Sequence, residues 1–138
     1  MFKIKLNPQV NDLPSPVVSV QGDVITINGE DFDFSQLAEG DELINQEEYR
    51  YTVDENGAEH MELVTPKSIA SDYIDGNVKC AGGYIELSLI LPLLPNSPLS
   101  ACFPSPRVLV MDTDGPVILP DTTPEAPTEE NEAQTNER

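Results

Sequence analysis

The chain has 138 residues, enough for one domain whose core needs neither metal nor disulfide. Its 25 Asp and Glu against 7 Lys and Arg give a formal charge of −18, which repels nucleic-acid phosphates and anionic membranes, so neither is an expected partner. Cys80 and Cys102 are too few, and wrongly spaced, for a disulfide framework or a zinc site; both read as small core hydrophobes in a reducing compartment.

Thirteen prolines and eight glycines cut the chain into short pieces, and no dozen residues sustain a helical apolar period, which leaves strands. The opening "MFKIKLNP" lacks the apolar stretch of a secretion signal. The longest apolar run, "LSLILPLLP", is proline-interrupted and far below a membrane span. "FKIKL" alternates Phe2, Ile4 and Leu6 with Lys3 and Lys5, the pattern of a half-buried strand.

The segment "VVSVQGDVITINGEDFDF" contains Gly22-Asp23 and Asn28-Gly29, pairs suited to two-residue hairpin loops. Those loops set Val20 against Ile25, Val18 against Ile27 and Ile25 against Phe32. Val18, Val20, Ile25, Ile27, Phe32 and Phe34 then share one face, with Ser19, Thr26, Asp31 and Asp33 on the other. "EYRYTVDENGAEHMELV" fits a three-residue loop, Glu55-Asn56-Gly57, that places Tyr51 opposite Met61, Tyr49 opposite Leu63, Arg50 opposite Glu62 and Thr52 opposite His60. In "YIDGNVKCAGGYIELSLIL" a Gly82-Gly83 loop pairs Cys80 with Ile85, Lys79 with Glu86, Val78 with Leu87, Asn77 with Ser88 and Ile74 with Leu91. Between the hairpins, "SQLAEGDELINQEE" and "TPKSIASDY" are each expected to form a helical turn or short helix, capped by Ser35 and Thr65. From Asp121 the chain has six acids, one Arg and no aromatic or branched aliphatic residue, the composition of a disordered tail. The fold expected is mostly β: antiparallel hairpins in a small sandwich or barrel over residues 1–120, with one or two helical turns and an acidic tail over 121–138.

Chemistry is sparse. "VLVMDTDGPV" ends an apolar run in Asp112-Thr113-Asp114-Gly115, like the opening motif of haloacid-dehalogenase-type phosphatases. Only 24 residues follow Asp114, without a lysine and without room for a parallel α/β sheet, so the motif reads as a turn with Gly115 at positive φ. Neither carboxylate-rich loop has the glycine and terminal glutamate of an EF-hand, which leaves Asp31, Asp33, Asp112 and Asp114 as weak candidates for a cation. His60, the single histidine, has no serine or cysteine in a nucleophile context beside it, and no phosphate loop or dinucleotide fingerprint is present. No catalytic residue and no cofactor is expected.

"VVSVQGDVITINGEDFDFSQLAEGDEL", "YIDGNVKCAGGYIELSLILPLLPNSP" and the closing "DGPVILP" together resemble a family of small tail-region proteins, without assigned function, encoded by tailed bacteriophages and prophages. The shared pattern is V-x-G-D-x-[LI]-x-[IV]-N-G-E-x-F-D-F-S, a G-[DN]-V hairpin leading into L-x-L-x-L-P, and a terminal D-G-P-V. It covers residues 1–120, loosely between Asn45 and Thr65, where the Tyr-rich hairpin here looks longer than the pattern. The resemblance implies a structural or accessory role in virion assembly. Other tail or baseplate proteins are then the partners, and the host cytoplasm during assembly, or the virion, is the location. On that reading "PLLPNSPLSACFPSP" is the candidate contact, through Leu93, Leu94, Leu99 and Phe103. The alternative is a small ligand-binding module holding a carbohydrate or Ca²⁺ with Tyr49, Tyr51 and carboxylates.

Overall fold

The structure is a computed structural model and describes residues 1–124. Eleven strands and one helical turn occur among these residues: β1 Phe2–Val10, β2 Val18–Gln21, β3 Val24–Ile27, β4 Glu30–Asp33, β5 Glu42–Leu43, β6 Glu48–Val53, β7 Glu59–Thr65, β8 Ile74–Ala81, β9 Tyr84–Leu93, α1 Leu99–Cys102, β10 Val108–Met111 and β11 Gly115–Pro116. They form a five-stranded sheet, β10-β1-β9-β8-β5, a four-stranded sheet, β11-β2-β3-β4, and a separate two-stranded sheet, β6-β7. The first two close on one apolar core, so the molecule is a mostly β, sandwich-like fold.

The meander β2-β3-β4 follows from its turn residues. Val18 pairs with Ile27, Val20 with Ile25 and Ile25 with Phe32, as the loop positions require. Asn28 and Gly29 both have positive φ, the condition a primed hairpin turn imposes. Val18, Val20, Ile25 and Ile27 are buried against the five-stranded sheet. Just past β4, Phe34 meets Phe2 edge to face, ring centroids 6.5 Å apart.

The five-stranded sheet departs from a purely antiparallel arrangement. β1 lies parallel to β9 in unbroken register, from Phe2 beside Ile85 to Val10 beside Leu93. Its other side pairs antiparallel with β10, Phe2 opposite Met111 and Lys5 opposite Val108. Hairpin reasoning misses this pairing because its two strands lie more than 70 residues apart and no turn announces it. The register sets apolar rows side by side: Phe2, Ile4 and Leu6 against Ile85, Leu87 and Leu89, all buried.

The β8-β9 hairpin pairs as expected near its loop, with Cys80 opposite Ile85 and Lys79 opposite Glu86. Farther out the register shifts, so Asp75 rather than Asn77 faces Ser88, and Ile74 faces Leu89 rather than Leu91. Gly76 sits at the shift with φ +76°, where a side chain would be strained. The offset is two residues, an even number, so Ile74 and Val78 both stay on the core face. The bulged backbone finds a partner in Asn45, which is 2 % exposed. Its side-chain N–H donates to the Gly76 carbonyl (3.1 Å), its backbone N–H donates to Asn77 Oδ1 (2.9 Å), and its Oδ1 accepts the Ile69 N–H (2.9 Å).

Three expectations are corrected. Neither inter-hairpin segment is helical: residues 35–41 form turns, with Leu37 N–H on the Phe34 carbonyl and Asp41 N–H on the Ala38 carbonyl, and Thr65 ends a strand. The one helical turn is α1, inside the proline-rich segment, and no helix among the described residues is long and apolar enough to cross a membrane. Packing also runs past Pro120. Thr122 is buried, its hydroxyl lies 3.3 Å from the Ser15 hydroxyl, and its carbonyl accepts the Ser97 hydroxyl at 2.7 Å. Residues 125–138, most of the segment read as a disordered tail, lie outside the described residues.

Removing the Asn45 side chain strips the bulge and the Ile69 N–H of buried partners. Asn45→Ala is expected to lower unfolding free energy by about 2 kcal/mol in urea denaturation with an unchanged m-value. Ile4→Ala, which opens a cavity on the central seam, is expected to cost about 3 kcal/mol.

Candidate interaction surface

The hairpin β6-β7 pairs in the register its loop dictates: Tyr49 opposite Leu63, Arg50 opposite Glu62, Tyr51 opposite Met61 and Thr52 opposite His60. Asp54 organises the tip. Its Oδ1 accepts the N–H groups of Asn56 (2.8 Å) and Ala58 (2.9 Å), its Oδ2 lies 3.0 Å from His60 Nε2, and Gly57 takes φ +80°. The His60 contact, then the Ala58 and Asn56 amides, hold the Asp54 carboxyl below its ordinary range.

This hairpin does not lie on the core. It forms its own sheet, and its large apolar side chains stand in solvent: Tyr49 is 53 % exposed, Tyr51 57 %, Met61 65 % and Leu63 50 %. All four project from one side, because successive residues of a strand alternate faces. Isolated two-stranded hairpins are at best marginally stable in water, so an arm of this kind depends on its root or on a partner. The root is tied. Asn45, before β6, accepts the N–H of Ile69, beyond β7, and the Ser68 hydroxyl donates to the Ile44 carbonyl at 2.6 Å. The excursion between them is thus pinched at its base on the body of the sandwich.

Carboxylates frame the apolar face. The Tyr51 hydroxyl donates to Glu59 Oε1 at 2.6 Å and the Tyr49 hydroxyl to Glu47 Oε1 at 3.2 Å. Hydrogen bonding to Glu59 raises the Tyr51 phenol above its ordinary range, and the charge of Glu47 does the same for Tyr49, so both remain donors at neutral pH. Arg50 faces Glu62 at 3.9 Å on the opposite side. The chemistry on offer is a strip of aromatic, aliphatic and thioether surface edged by negative charge.

Other positions singled out by sequence fall elsewhere. Leu93, expected in the contact segment, is instead buried with Leu91 and Ala101 in a small second cluster and offers little exposed surface in this structure. Leu94, Leu99 and Phe103 are exposed, Leu99 at 75 % and Phe103 at 76 %. Asp31 accepts the Thr26 hydroxyl, Asp33 the Ser35 N–H and Asp114 the Gly22 N–H, while Asp112 bonds the Tyr84 hydroxyl. Each carboxylate is occupied locally, and no three acidic, His or Cys side chains among the described residues stand together as metal ligands. The Asp-x-Asp-Gly stretch is the corner by which the chain passes from β10 in one sheet to β11 in the other, with Gly115 at positive φ. Both cysteines are free and half-buried, and burial, then the nearby carboxylates led by Glu39, pushes the Cys80 thiol up.

The exposure of the arm is what sequence reasoning missed. Its pairing follows from loop chemistry, whereas its detachment from the core depends on the root, which no local pattern encodes. No family model, curated protein or solved structure matches the chain.

Two outcomes follow for the arm. Met61→Ser with Leu63→Ser is expected to leave the global melting temperature within about 2 °C of the parent by differential scanning calorimetry, since exposed positions contribute little to stability. Because the folded Asp54 carboxyl is depressed, its support of the tip is fully present above the ordinary value of 3.8 and is lost as pH falls through the lower folded value. In an NMR pH titration the Asn56 and Ala58 amides should move with Asp54 below that value while core amides stay fixed; simultaneous movement of the core would refute a local role.

Proposed function

We propose that this protein is a non-enzymatic interaction module that docks on a larger protein assembly through the β6-β7 arm. In the setting implied by its resemblance to tail-region proteins, that assembly is the tail or baseplate of a tailed bacteriophage, built in the host cytoplasm. The observation that carries the reading is the arm itself: four large side chains on one face of a two-stranded sheet, each at least half exposed, on a root fixed by buried hydrogen bonds. Exposed apolar surface of this extent with a polar rim marks contact with another protein. The carboxylates expected for a Ca²⁺ site are each engaged in separate local bonds, which favours the interaction reading over the ligand-binding one.

The test is mass spectrometry of virions purified from an induced or infected host, comparing the parent chain with Tyr51→Ser/Met61→Ser. Stoichiometric copies of the parent per particle, and at least about tenfold fewer of the variant at equal expression, are the expected result. A chain abundant in lysate and absent from virions would overturn the virion-structural reading. Equal incorporation of the variant would overturn the role of the arm.

A further inference from the structure

The solvent face of the five-stranded sheet contains a shallow groove of about 640 Å³. Its lining includes Lys3, Lys5, Lys79, Val108 and Val110, together with Glu42 and Glu86. The chain has only four lysines among its 138 residues, and three of them converge here, although the molecule carries a net −18. Lys79 is paired with Glu86 at 3.7 Å, and Lys3 lies over the Tyr84 ring at 4.6 Å. Lys5 has no ion-pair partner among the described residues.

The groove runs beside an open sheet edge. Leu6 N–H donates to the Arg107 carbonyl, so Arg107, Leu109 and Met111 turn their backbone groups toward β1. Val108 and Val110 therefore present their N–H and C=O groups outward. β10 is the end strand of its sheet, holds no charged residue and leaves both valines substantially exposed. An uncharged open edge next to a row of lysines fits an added strand that carries apolar residues and carboxylates on the same face.

The arm has that composition. Along β7, Glu59, Met61 and Leu63 share one face, with Tyr51 and Tyr49 across from Met61 and Leu63. Between Glu47 and Thr65 it has six acids and one arginine. Resting on the reading of the arm as a docking surface, we infer that its partner includes a second copy of this chain: β7 of one copy lies along β10 of the next, Met61 and Leu63 against Val108 and Val110. Successive strands are about 4.8 Å apart and residues about 3.3 Å along a strand, so with β7 parallel to β10, Met61 beside Val108 and Leu63 beside Val110, Glu59 lies diagonally about 12 Å from Lys5, within the combined reach of the two extended side chains. Arm and groove are different surfaces, so the contact is heterologous and repeats head to tail into a ring or a filament. The contact is small beside the roughly 800 Å² per partner of a stable interface, so free chains associate weakly and a repeating assembly gains by multivalency.

Sedimentation velocity on the whole chain up to about 0.5 mM tests this, at about 50 and about 500 mM NaCl. The expected result is a mass that rises with concentration and falls with salt. Lys5→Glu and Glu59→Lys, both exposed changes checked for an unaltered circular dichroism spectrum, should each weaken association at least about fivefold. Mixing the two variants should restore it, because Glu59 of one then meets Lys5 of the other and the reversed pair closes the second contact. A monomer at every concentration overturns the inference, as does association indifferent to both reversals. A monomeric chain whose arm variant still drops out of virions leaves the docking arm standing with a different partner.

Discussion

The parallel alignment of β1 with β9 is the constraint on which the architecture rests. It joins the first residues of the chain to a strand near the end of the domain and fills the middle of the core with two apolar rows. Because strand faces alternate, the register that buries Phe2, Ile4 and Leu6 turns Lys3 and Lys5 outward beside Glu86 and Ser88. A one-residue slip would exchange the two faces, placing lysines in the core and leucines in water. Core composition and the chemistry of the solvent face are therefore one choice.

The bulge in β8 links that sheet to the arm. Two extra residues near Gly76 shift the ladder, and there Asn45 satisfies the Gly76 carbonyl and binds the Asn77 side-chain oxygen while holding the Ile69 N–H with its own side-chain oxygen. A buried amide bonded through both its nitrogen and its oxygen favours a single geometry, since rearrangement leaves a buried donor or acceptor unpaired. The strands before and after the arm are fixed by this residue, and the arm departs from a rigid base although neither of its own faces packs on the body.

Local turn chemistry made much of the fold legible. Asn28-Gly29 and Gly57 name their loops, and every pair in the β2-β3-β4 and β6-β7 ladders that sequence reasoning set down appears in the structure. Beyond one hairpin the sequence was silent. The parallel partner of β1, the split of β10 and β11 between two sheets and the register shift at Gly76 depend on contacts between distant segments. The same divide applies to the surface. Of the four apolar contact candidates in the proline-rich segment, Leu94, Leu99 and Phe103 are exposed, whereas Leu93 is buried because β9 continues through Pro92 beside β1. The lysine groove was invisible because its residues come from separate strands that only the tertiary pairing assembles.

Closing the arm at its base has a consequence for how the chain divides its residues. The two chain ends that cross the pinch are held by Asn45, Ile69, Ile44 and Ser68, none of which lies on the exposed strip. The large side chains of the strip stand in solvent, so exchanging them leaves the packing of the sandwich intact. The residues that hold the fold and the residues that form the exposed strip are therefore nearly separate sets, and a change in one leaves the other in place.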